Sequence, residues 1–410
     1  MSTIKPFCAV RPAKGLADKI AALPYDVYNR AEAKAFVLKN PDSFLKVDRP
    51  ETQFPDDFDM YSDAAYFKAQ ELYEGMKESG EFVKEPDPAY YLYELTMEGR
   101  TQTGLVCLAS VDEYLNNTIK KHENTRADKE IDRIRHVDTL SAQTGPIFLA
   151  YRAKKELLDF IDDFKKTHAP EFDFVSEDGI RHRGFKVSNR ADIEFITLSF
   201  SKIPNLYIAD GHHRCASAAK VCLKRREEGR VKEGDFEGFL SVVFPDSDLL
   251  IMDYNRVILD NKGLTEDELI ERVKEKFEIK ERNRNTDKPG KKGEIFMILK
   301  DREYSISLKK EFLPSGAVES LDVSVLQDFL LEPLFGIKDP KTDKTIDFVG
   351  GIRGVKELIR RVNEGAFVAF SMYPTSMKEL FSVADAGLLM PPKSTWFEPK
   401  LRSGLFINEF

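Results

Sequence analysis

The sequence predicts a mixed α+β fold, because segments with strand composition alternate with segments of helical composition along its 410 residues. Apolar segments at 90–97 and 103–110 flank a Glu-Gly-Arg turn and predict a hairpin, and 295–299 with 304–308 predicts another. Helical composition marks four longer segments, 56–81, 264–277, 323–334 and 355–363.

Shorter apolar segments complete the predicted sheets. We expect single strands at 44–47 and 193–200. We also expect 239–245 and 249–259 to form a pair of strands, because Asp246-Ser247-Asp248 between them has turn composition.

The domain organisation follows from a change of composition near residue 260, after which a helix, a polar loop and a second hairpin are predicted. We therefore expect a larger N-terminal domain over 1–259, a smaller two-layer α+β domain over 260–375 and a C-terminal segment over 376–410. We find no internal repeat and no low-complexity segment in the sequence.

Composition and charge exclude several classes of protein. A net charge of −8 argues against a nucleic-acid-coating surface. No apolar run approaches the ~20 residues that span a bilayer, and the N-terminus lacks the apolar core of a signal peptide. The four cysteines have no CxxC spacing, so we expect a reduced cytoplasmic protein, monomeric or homodimeric, without a structural zinc site.

The most informative stretch is 205–219, where an apolar run breaks at an Asp-Gly pair and continues through two histidines and an arginine into an alanine-rich segment. A strand, a tight turn and a helix start are the simplest interpretation. Helix N-termini bind oxyanions because their first N–H groups lack partners within the helix. We therefore interpret the turn as a phosphate-binding site, although a solvated strand–helix connection has similar composition. Its candidate residues are Asp210, Gly211, His212, His213 and Arg214.

Polar residues elsewhere are candidates for the acceptor side of a site. His122 and Glu123 stand just before a charged helical segment, and a carboxylate at an element boundary can serve as a general base. Asp26 lies in a predicted turn, and Arg49 and Glu51 follow the predicted strand at 44–47. Taken singly, Asp26 is explained better as a carboxylate of a turn than as a site residue. Arg49 and Glu51 are likewise explained better as a surface ion pair than as site residues.

The C-terminal segment contains a stiffened loop. Lys393 follows two prolines and precedes Ser394 and Thr395. A rigid loop with an ammonium group and two hydroxyls can bind phosphate, and an ordinary surface loop explains these residues equally well.

Five separated motifs resemble those of the bacterial family called domain of unknown function 1015. They are PYDV at 24–27, NPDSFLKVDRPE at 40–51, HENT at 122–125, ADGHHR at 209–214 and MPPKSTWFEPKLRSGLF at 390–406. Some members of that family are described as kinases of free L-serine, including pyrophosphate-dependent ones. The histidine-containing turn also resembles archaeal free serine kinases of the ParB-like fold, and sulfiredoxin binds nucleotide phosphate with a similar turn.

The resemblance implies a ParB/sulfiredoxin-like core with a large insertion, and it implies roles for single residues. Glu123 is similar to the general base for the serine hydroxyl, assisted by Asp210 and His213, and Asp210 is also the expected Mg²⁺ ligand. The segment 376–410 is expected to return to the active site. The residues implied to bind phosphate are Gly211, His212, His213, Arg214, Lys393, Ser394 and Thr395. Because serine carries a carboxylate and an ammonium group, we expect it to contact Asp26, Arg49, Glu51 and His122, and Asp26 is the reserve candidate for the base.

The predicted activity is therefore transfer of a phosphoryl group to the hydroxyl of free L-serine, with Mg²⁺ as cofactor and small molecules as the only partners. The sequence has no P-loop and no protein-kinase glycine loop with an HRD motif. Pyrophosphate is therefore the expected donor, with ATP or ADP as alternatives. A ParB-like nucleotide-binding regulator is the competing hypothesis, and a nuclease is disfavoured because no multi-carboxylate two-metal constellation is visible.

Overall fold

The computed structural model describes residues 1–125, 127–230 and 237–410, with the backbone alone for 127–129. It confirms the mixed α+β class, and the ParB/sulfiredoxin-like topology of the core stays a prediction. The described chain forms two compact units: unit 1 is Met1–Leu249 with Pro399–Phe410, and unit 2 is Leu250–Glu398. These bounds differ from the expected three segments, because the strand at Tyr254–Ile258 already pairs within the sheet of unit 2.

The strands and helices are numbered in chain order. The strands are β1 (Ile4–Lys5), β2 (Val10–Pro12), β3 (Phe82–Lys84), β4 (Tyr90–Met97), β5 (Arg100–Ser110), β6 (Ile119–Lys120), β7 (Ala142–Gln143), β8 (Ile147–Tyr151), β9 (Phe172–Val175), β10 (Arg181–Val187), β11 (Leu206–Asp210), β12 (Gly238–Pro245), β13 (Ile251–Met252), β14 (Tyr254–Ile258), β15 (Phe277–Glu281), β16 (Ile295–Ile298), β17 (Glu303–Leu308), β18 (Ile346–Gly350), β19 (Val368–Ser371), β20 (Trp396–Phe397) and β21 (Asn408–Glu409). The helices are α1 (Ala17–Ile20), α2 (Arg30–Lys39), α3 (Leu45–Asp48), α4 (Asp63–Glu78), α5 (Val111–Leu115), α6 (Ala127–Leu140), α7 (Lys155–Thr167), α8 (Arg190–Phe200), α9 (His212–Glu227), α10 (Glu266–Lys276), α11 (Asp322–Leu326), α12 (Glu332–Phe335), α13 (Gly354–Asn363) and α14 (Met377–Asp385). A π-helical turn, Gln327–Leu331, joins α11 to α12.

The main sheet of unit 1 has the strand order β6-β11-β8-β12-β5-β4-β10-β9, with β1 paired to β5. The predicted hairpin of β4 and β5 is confirmed. The core on this sheet is apolar, with Leu149, Ile208 and Phe239 among its fully buried side chains. β11 is parallel to the edge strand β6 and antiparallel to β8, and this arrangement determines what lies beside its carboxyl end.

Three local strand predictions are wrong. Segment 44–47 falls mainly in the single helical turn α3, where the apolar residues Leu45 and Val47 are buried, so their composition reflects burial. Segment 193–200 lies in α8, because Ile196 and Phe200 recur at helical spacing and face the core. The segments 239–245 and 249–259 do not pair, since β12 pairs with β5 and β8 whereas β14 pairs with β18 and β19.

Unit 2 contains a second sheet with the strand order β15-β17-β16-β19-β14-β18. The predicted hairpin of β16 and β17 and the predicted helices α10 and α13 are confirmed. A small apolar core joins α13 to this sheet, with Val257, Val349 and Leu358 at its centre. Within the described residues of the whole chain, none of the helices is both long and apolar enough to cross a membrane.

The last twelve residues form an integral part of unit 1. Ile407 forms a β-bridge with Val10 and Ser403 with Ala22, and β21 pairs with β7. The Glu409 carboxylate accepts hydrogen bonds from the Tyr73 hydroxyl at 3.0 Å, from Lys77 Nζ at 2.9 Å and from Lys84 Nζ at 2.8 Å. These partners outweigh burial and hold the pKa of Glu409 at about 2. The segment therefore has a fixed path, which determines where Lys400 lies.

Candidate functional site

The carboxyl ends of β6 and β11 lie side by side at one end of the unit 1 sheet. The two strands are parallel, with Ile119 opposite Leu206 and Lys120 opposite Tyr207. Because parallel strands run in the same direction, the segments that follow them emerge at the same end. The structure therefore brings the HENT motif next to the DGHHR turn, although the two are distant in the sequence.

The predicted strand–turn–helix is confirmed. β11 ends at Asp210, Gly211 adopts the left-handed conformation with φ of 92°, and the long helix α9 begins at His212. Asp210 closes the turn by accepting the Gly211 N–H at 2.8 Å on its own Oδ1. Gly211 has no side chain that could cap the helix, so an anion is a suitable partner for the N–H groups of the first helical turn.

Arg214 lies against the backbone of the turn. Its guanidinium donates to the Pro146 carbonyl and folds back over Gly211. A Cβ atom placed on Gly211 would lie 3.1 Å from Nε and 3.2 Å from Cζ of Arg214. Glycine at position 211 therefore serves both the left-handed backbone and the close approach of the cation.

Lys400 also reaches the turn. Its Nζ donates to Oδ2 of Asp210 at 3.1 Å. Burial opposes ionisation of Asp210, but Lys400, Arg214 and the Gly211 N–H together hold the pKa of Asp210 well below its usual range. Asp210 is therefore a carboxylate at neutral pH, and its charge is balanced by two cations at the end of the turn.

Two histidines, His122 and His212, pack against each other beside the turn. The rings of His122 and His212 meet edge-on, with centroids 4.5 Å apart at an interplanar angle of 88°. Both side chains are buried, and burial lowers the pKa of His122 to about 4, although Asp210 and the Ile208 backbone oppose the shift. His122 is therefore neutral at neutral pH, and its predicted contact with serine stays a prediction.

Glu123 follows His122 directly and is half-buried at the same end of the sheet. Burial opposes ionisation of Glu130, but its hydrogen bonds to Lys220 and Thr125 and the charges of Lys220 and His213 lower its pKa. The catalytic roles predicted for Glu123 and His213 stay predictions.

A cavity of about 410 Å³ in unit 1 contains the other predicted acceptor residues. Its walls include Asp26, Arg49 and Glu51, together with Tyr25 and Arg133. A smaller cavity of about 40 Å³ shares Tyr25 and Arg133 with it and is also lined by Arg214. Tyr25 and Arg133 therefore lie between the larger cavity and the smaller one that Arg214 lines.

Arg49 and Glu51 form a buried ion pair, so the single-residue explanation of a surface pair is wrong. Arg49 Nε donates to Glu51 Oε1 at 2.5 Å, and Arg49 Nη1 donates to the carbonyls of Tyr25 and Tyr28 at 2.8 and 2.7 Å. These bonds fix the turn that presents the exposed Asp26 to the cavity. The predicted contact of Arg49 and Glu51 with serine stays a prediction.

Arg133 and Asp132 are cavity residues that sequence reasoning did not select. The Arg133 guanidinium lies 4.1 Å from the Tyr25 ring centroid and forms a 2.8 Å ion pair with Asp132, which also accepts the Tyr66 hydroxyl at 2.9 Å. Helix α6 is rich in charged residues, yet Glu130, Arg133 and His136 are buried. Their spacing of three residues places them on one helical face and was an available signal.

The donor set fits Mg²⁺ only in part. Among the residues that the structure describes, no three His, Cys, Asp or Glu side chains converge as a metal site. Asp210 is the carboxylate nearest the turn, and its two oxygens are engaged by Gly211 and Lys400. Because Mg²⁺ in phosphotransferases is held by one or two carboxylates plus donor oxygens, Asp210 suits a cation that arrives with the donor.

The predicted C-terminal phosphate loop belongs to unit 2. Lys393 is exposed and has a positive φ of 60°, and its carbonyl accepts a hydrogen bond from Arg256 at 3.1 Å. The Ser394 carbonyl accepts from Thr375 at 3.0 Å, and the Ser394 hydroxyl donates to Pro391 at 2.6 Å. The phosphate-binding role of Lys393, Ser394 and Thr395 stays a prediction.

Comparison with known proteins gives a family and several similar structures. A family model described as "Protein of unknown function (DUF1015)" matches residues 4–324. No curated protein matches this chain. Similar solved structures include a free serine kinase in complex with AMP (14% identity, 72% of this chain and 86% of that chain covered, TM-score 0.36). A conserved hypothetical protein from Pyrococcus furiosus is 16% identical, with 72% of this chain and 91% of that chain covered and a TM-score of 0.35. SbnI with C-terminal truncation from Staphylococcus aureus is 13% identical, with 72% of this chain and 82% of that chain covered and a TM-score of 0.37.

Proposed function

This chain belongs to the DUF1015 family, whose description assigns no function, and we propose that it is a phosphotransferase that phosphorylates the hydroxyl of free L-serine. One observation carries the proposal: the parallel pairing of β6 with β11 places a carboxylate-bearing motif beside a cationic glycine turn. Phosphoryl transfer requires this combination of a base for the acceptor and positive charge for the donor.

The donor binds at the turn of residues 210–214. The N-terminus of α9 and the Arg214 guanidinium both favour phosphoryl oxygens, and Arg214 lies within van der Waals reach of the turn backbone. Lys400 adds a second cation that is already held beside the turn by Asp210. This arrangement supplies the charge neutralisation that a diphosphate needs.

The acceptor enters from the cavity of about 410 Å³, which is large enough for a free amino acid. L-Serine carries a carboxylate and an ammonium group, so its site needs both charges. The cavity walls provide Arg133 and Arg135 as cations and Asp26 and Asp132 as anions. The smaller cavity is lined by Arg214 and shares Tyr25 and Arg133 with the larger one, which supports the placement of the amino acid near the donor.

The reaction exchanges one P–O bond for another. The serine hydroxyl oxygen attacks the terminal phosphorus of pyrophosphate, the bridging P–O bond breaks, and inorganic phosphate leaves. Glu123 accepts the proton of the serine hydroxyl, a role that its HENT motif suggests by resemblance. Asp210 is the carboxylate that would hold Mg²⁺, and the ion would offset charge on the donor oxygens when bound.

Substitution of the proposed base tests this function. Glu123→Gln keeps the size of the side chain but removes the proton acceptor, and loss of a general base costs about 100-fold or more in turnover. We expect phosphoserine formation from L-serine to fall by about that factor, with the far-ultraviolet circular dichroism unchanged.

Glu227→Gln is the matched control, since Glu227 is exposed near the far end of α9 and should keep full activity. If wild-type protein forms no phosphoserine with pyrophosphate, ATP or ADP, the function is wrong. If Glu123→Gln retains activity within a few-fold of wild type, the base is a different carboxylate, with Asp26 the next candidate.

A further inference from the structure

A second large cavity of unit 1 shares only Tyr28 with the cavity of about 410 Å³ assigned to the acceptor (the acceptor cavity). This second cavity has a volume of about 660 Å³, and its walls contain no residue of the HENT motif or the DGHHR turn. It also shares no lining residue with the smaller cavity beside Arg214. The proposed reaction therefore leaves the second cavity without a use.

Arg402 lies in the wall of the second cavity and is only 4% exposed. Its Nη2 donates to Asp178 and, at 3.2 Å, to the Ser176 hydroxyl, and its Nε lies 3.4 Å from Nε2 of His182. Among the residues that the structure describes, none accepts a hydrogen bond from its other terminal nitrogen, Nη1. A guanidinium group has five N–H donors, so Arg402 keeps donors for a ligand in the cavity.

Arg402 and Asp178 form an ion pair whose two partners differ in exposure. The side chain of Asp178 is 42% exposed, whereas that of Arg402 is 5% exposed. Burial opposes ionisation of Asp178, but the charge of Arg402 and the hydrogen bond from Ser176 lower its pKa, so it is a carboxylate at neutral pH. A positive and a negative group therefore lie side by side at the cavity. This arrangement is complementary to a small molecule that carries one charge of each sign.

Aromatic side chains form another part of the cavity wall. The rings of Tyr28 and Phe36 have centroids 5.2 Å apart at an interplanar angle of 31°, and both residues are half-buried. Burial raises the pKa of Tyr28, the charge of Arg402 opposes this shift and that of Asp178 adds to it. The Tyr28 phenol is therefore within electrostatic range of the ion pair, and the wall offers an apolar surface next to the two charges.

We propose that the second cavity binds a free α-amino acid with an apolar side chain. The carboxylate of the amino acid accepts hydrogen bonds from Arg402 and the Tyr28 hydroxyl, and its ammonium group pairs with Asp178. Its side chain packs against the rings of Tyr28 and Phe36. The volume of about 660 Å³ is sufficient for an amino acid of any size. This site stands on the charges and shape of the second cavity and does not rest on the proposed function.

Tyr28 links the second cavity to the acceptor cavity. It lines both cavities, and its carbonyl accepts a hydrogen bond from Arg49 at 2.7 Å. Arg49 also donates to the Tyr25 carbonyl and pairs with Glu51 in the wall of the acceptor cavity. The bound amino acid therefore contacts a residue whose backbone is fixed to the neighbouring site.

Isothermal titration calorimetry of the full chain, without L-serine or a phosphoryl donor, tests the site. The probe is L-phenylalanine, which has both charges and an apolar side chain, and we expect saturable binding. 2-Phenylethylamine lacks the carboxylate and 3-phenylpropionate lacks the ammonium group. Each should bind at least tenfold more weakly than L-phenylalanine, because each leaves one partner of the ion pair without a ligand charge.

Single substitutions locate the binding. Asp178→Asn should weaken binding of L-phenylalanine at least tenfold, and Phe36→Ala should weaken it several-fold. If Asp178→Asn fails to fold, Tyr28→Phe removes only a hydroxyl and should also weaken binding several-fold. Asp163→Asn, at an exposed carboxylate of α7, is the matched control. Ile131→Ala changes the acceptor cavity alone and should bind L-phenylalanine as wild type does.

The proposal is overturned if L-phenylalanine gives no saturable heat, or if either analogue with a single charge binds as tightly as the amino acid. It is also overturned if Ile131→Ala weakens binding while Phe36→Ala does not, because the probe would then lie in the acceptor cavity. None of these outcomes depends on turnover. A protein that makes phosphoserine without binding L-phenylalanine would keep its proposed function and lose this site, and the reverse result would keep the site and lose the function.

Discussion

The cations at the DGHHR turn are held in place by specific partners. Asp210 binds Lys400, and Arg214 binds the Pro146 carbonyl while lying over Gly211. Asp210 therefore positions the lysine as well as closing the turn. Without Lys400 its carboxylate would repel a phosphoryl donor at close range, because two negative charges a few ångströms apart are unfavourable.

Lys400→Met should for this reason weaken the donor interaction. We expect kcat/KM for the donor to fall at least tenfold, which corresponds to about 1.4 kcal/mol of transition-state stabilisation. Steady-state kinetics with saturating L-serine measure this value. Lys202→Met, at an exposed lysine of the same unit, is the control. A change of less than two-fold for Lys400→Met would show that its pairing with Asp210 has no role in catalysis.

His182 makes the stability of unit 1 depend on pH. It is fully buried and bonds to the Tyr93 hydroxyl at 2.8 Å and the Ser176 hydroxyl at 3.0 Å. Burial, followed by the charge of Arg402, lowers the pKa of His182 from 6.5 to about 3. Below pH 6.5 the unfolded chain binds a proton at this position that the folded chain does not. The free energy of unfolding therefore falls as pH decreases through this window.

Substitution of His182 should make the free energy of unfolding depend less steeply on pH. We expect the unfolding free energy of His182→Gln to depend less on pH between 6.5 and about 3, by up to about 1.4 kcal/mol per pH unit. Urea unfolding across this window provides the measurement. His168→Gln, at an exposed histidine, should keep the wild-type slope. Equal slopes for wild type and His182→Gln would contradict a neutral buried imidazole.

At the scale of elements, the turn between β11 and α9 is the proposed donor site. Its geometry depends on Gly211, which has a positive φ and lies under the Arg214 guanidinium. Gly229, just past the other end of the same helix, also has a positive φ but has open space around its Cα. Comparing substitutions at Gly211 and Gly229 therefore distinguishes the effect of backbone strain from the effect of displacing the Arg214 guanidinium.

Gly211→Ala and Gly229→Ala should each destabilise the protein by about 1–2 kcal/mol, the cost of a left-handed conformation for an L-residue. Only Gly211→Ala should also lose activity, at least tenfold, because its methyl group would displace Arg214. Thermal unfolding and phosphoserine formation measure the two effects. If both variants kept wild-type turnover, the placement of Arg214 over the turn would not matter for function.

Some elements could be predicted from the sequence and others could not. The DGHHR turn was predictable because its signals are local: an apolar run, an Asp-Gly break and a helical segment occur within fifteen residues. The capping box of Asn29 and Glu32 at the start of α2 is equally local. Segment 193–200 was misassigned because the helical spacing of its buried residues was overlooked in favour of its apolar composition.

Non-local features of the site were beyond the sequence. The parallel pairing of β6 with β11 depends on strand order, and a two-residue edge strand gives almost no pattern to detect. The burial of Arg49 and Glu51 depends on packing against the Tyr25–Tyr28 turn, which comes from earlier in the chain. A resemblance to family motifs identified these residues without indicating their contacts.

At the scale of the molecule, the C-terminal segment packs against the N-terminal segment of unit 1. The last twelve residues return to unit 1, bridge to its N-terminal segment at Val10 and Ala22, and carry Lys400 to Asp210. Lys400 thus pairs with Asp210, while the return of the whole segment 376–410 to an active site stays a prediction. Changes in this segment act on the fold and on the candidate site together.

The most direct test of the central claim is phosphorus NMR of the intact protein with Mg²⁺, L-serine and one donor at a time. We predict that pyrophosphate is consumed with one phosphoserine and one inorganic phosphate formed per molecule, faster than ATP or ADP is used, and that omission of L-serine stops consumption. Consumption at the same rate without L-serine would indicate a hydrolase, and a donor that binds but stays intact would indicate a regulator. Either result would contradict the account, whereas faster phosphoserine formation from a nucleotide would contradict the choice of donor alone.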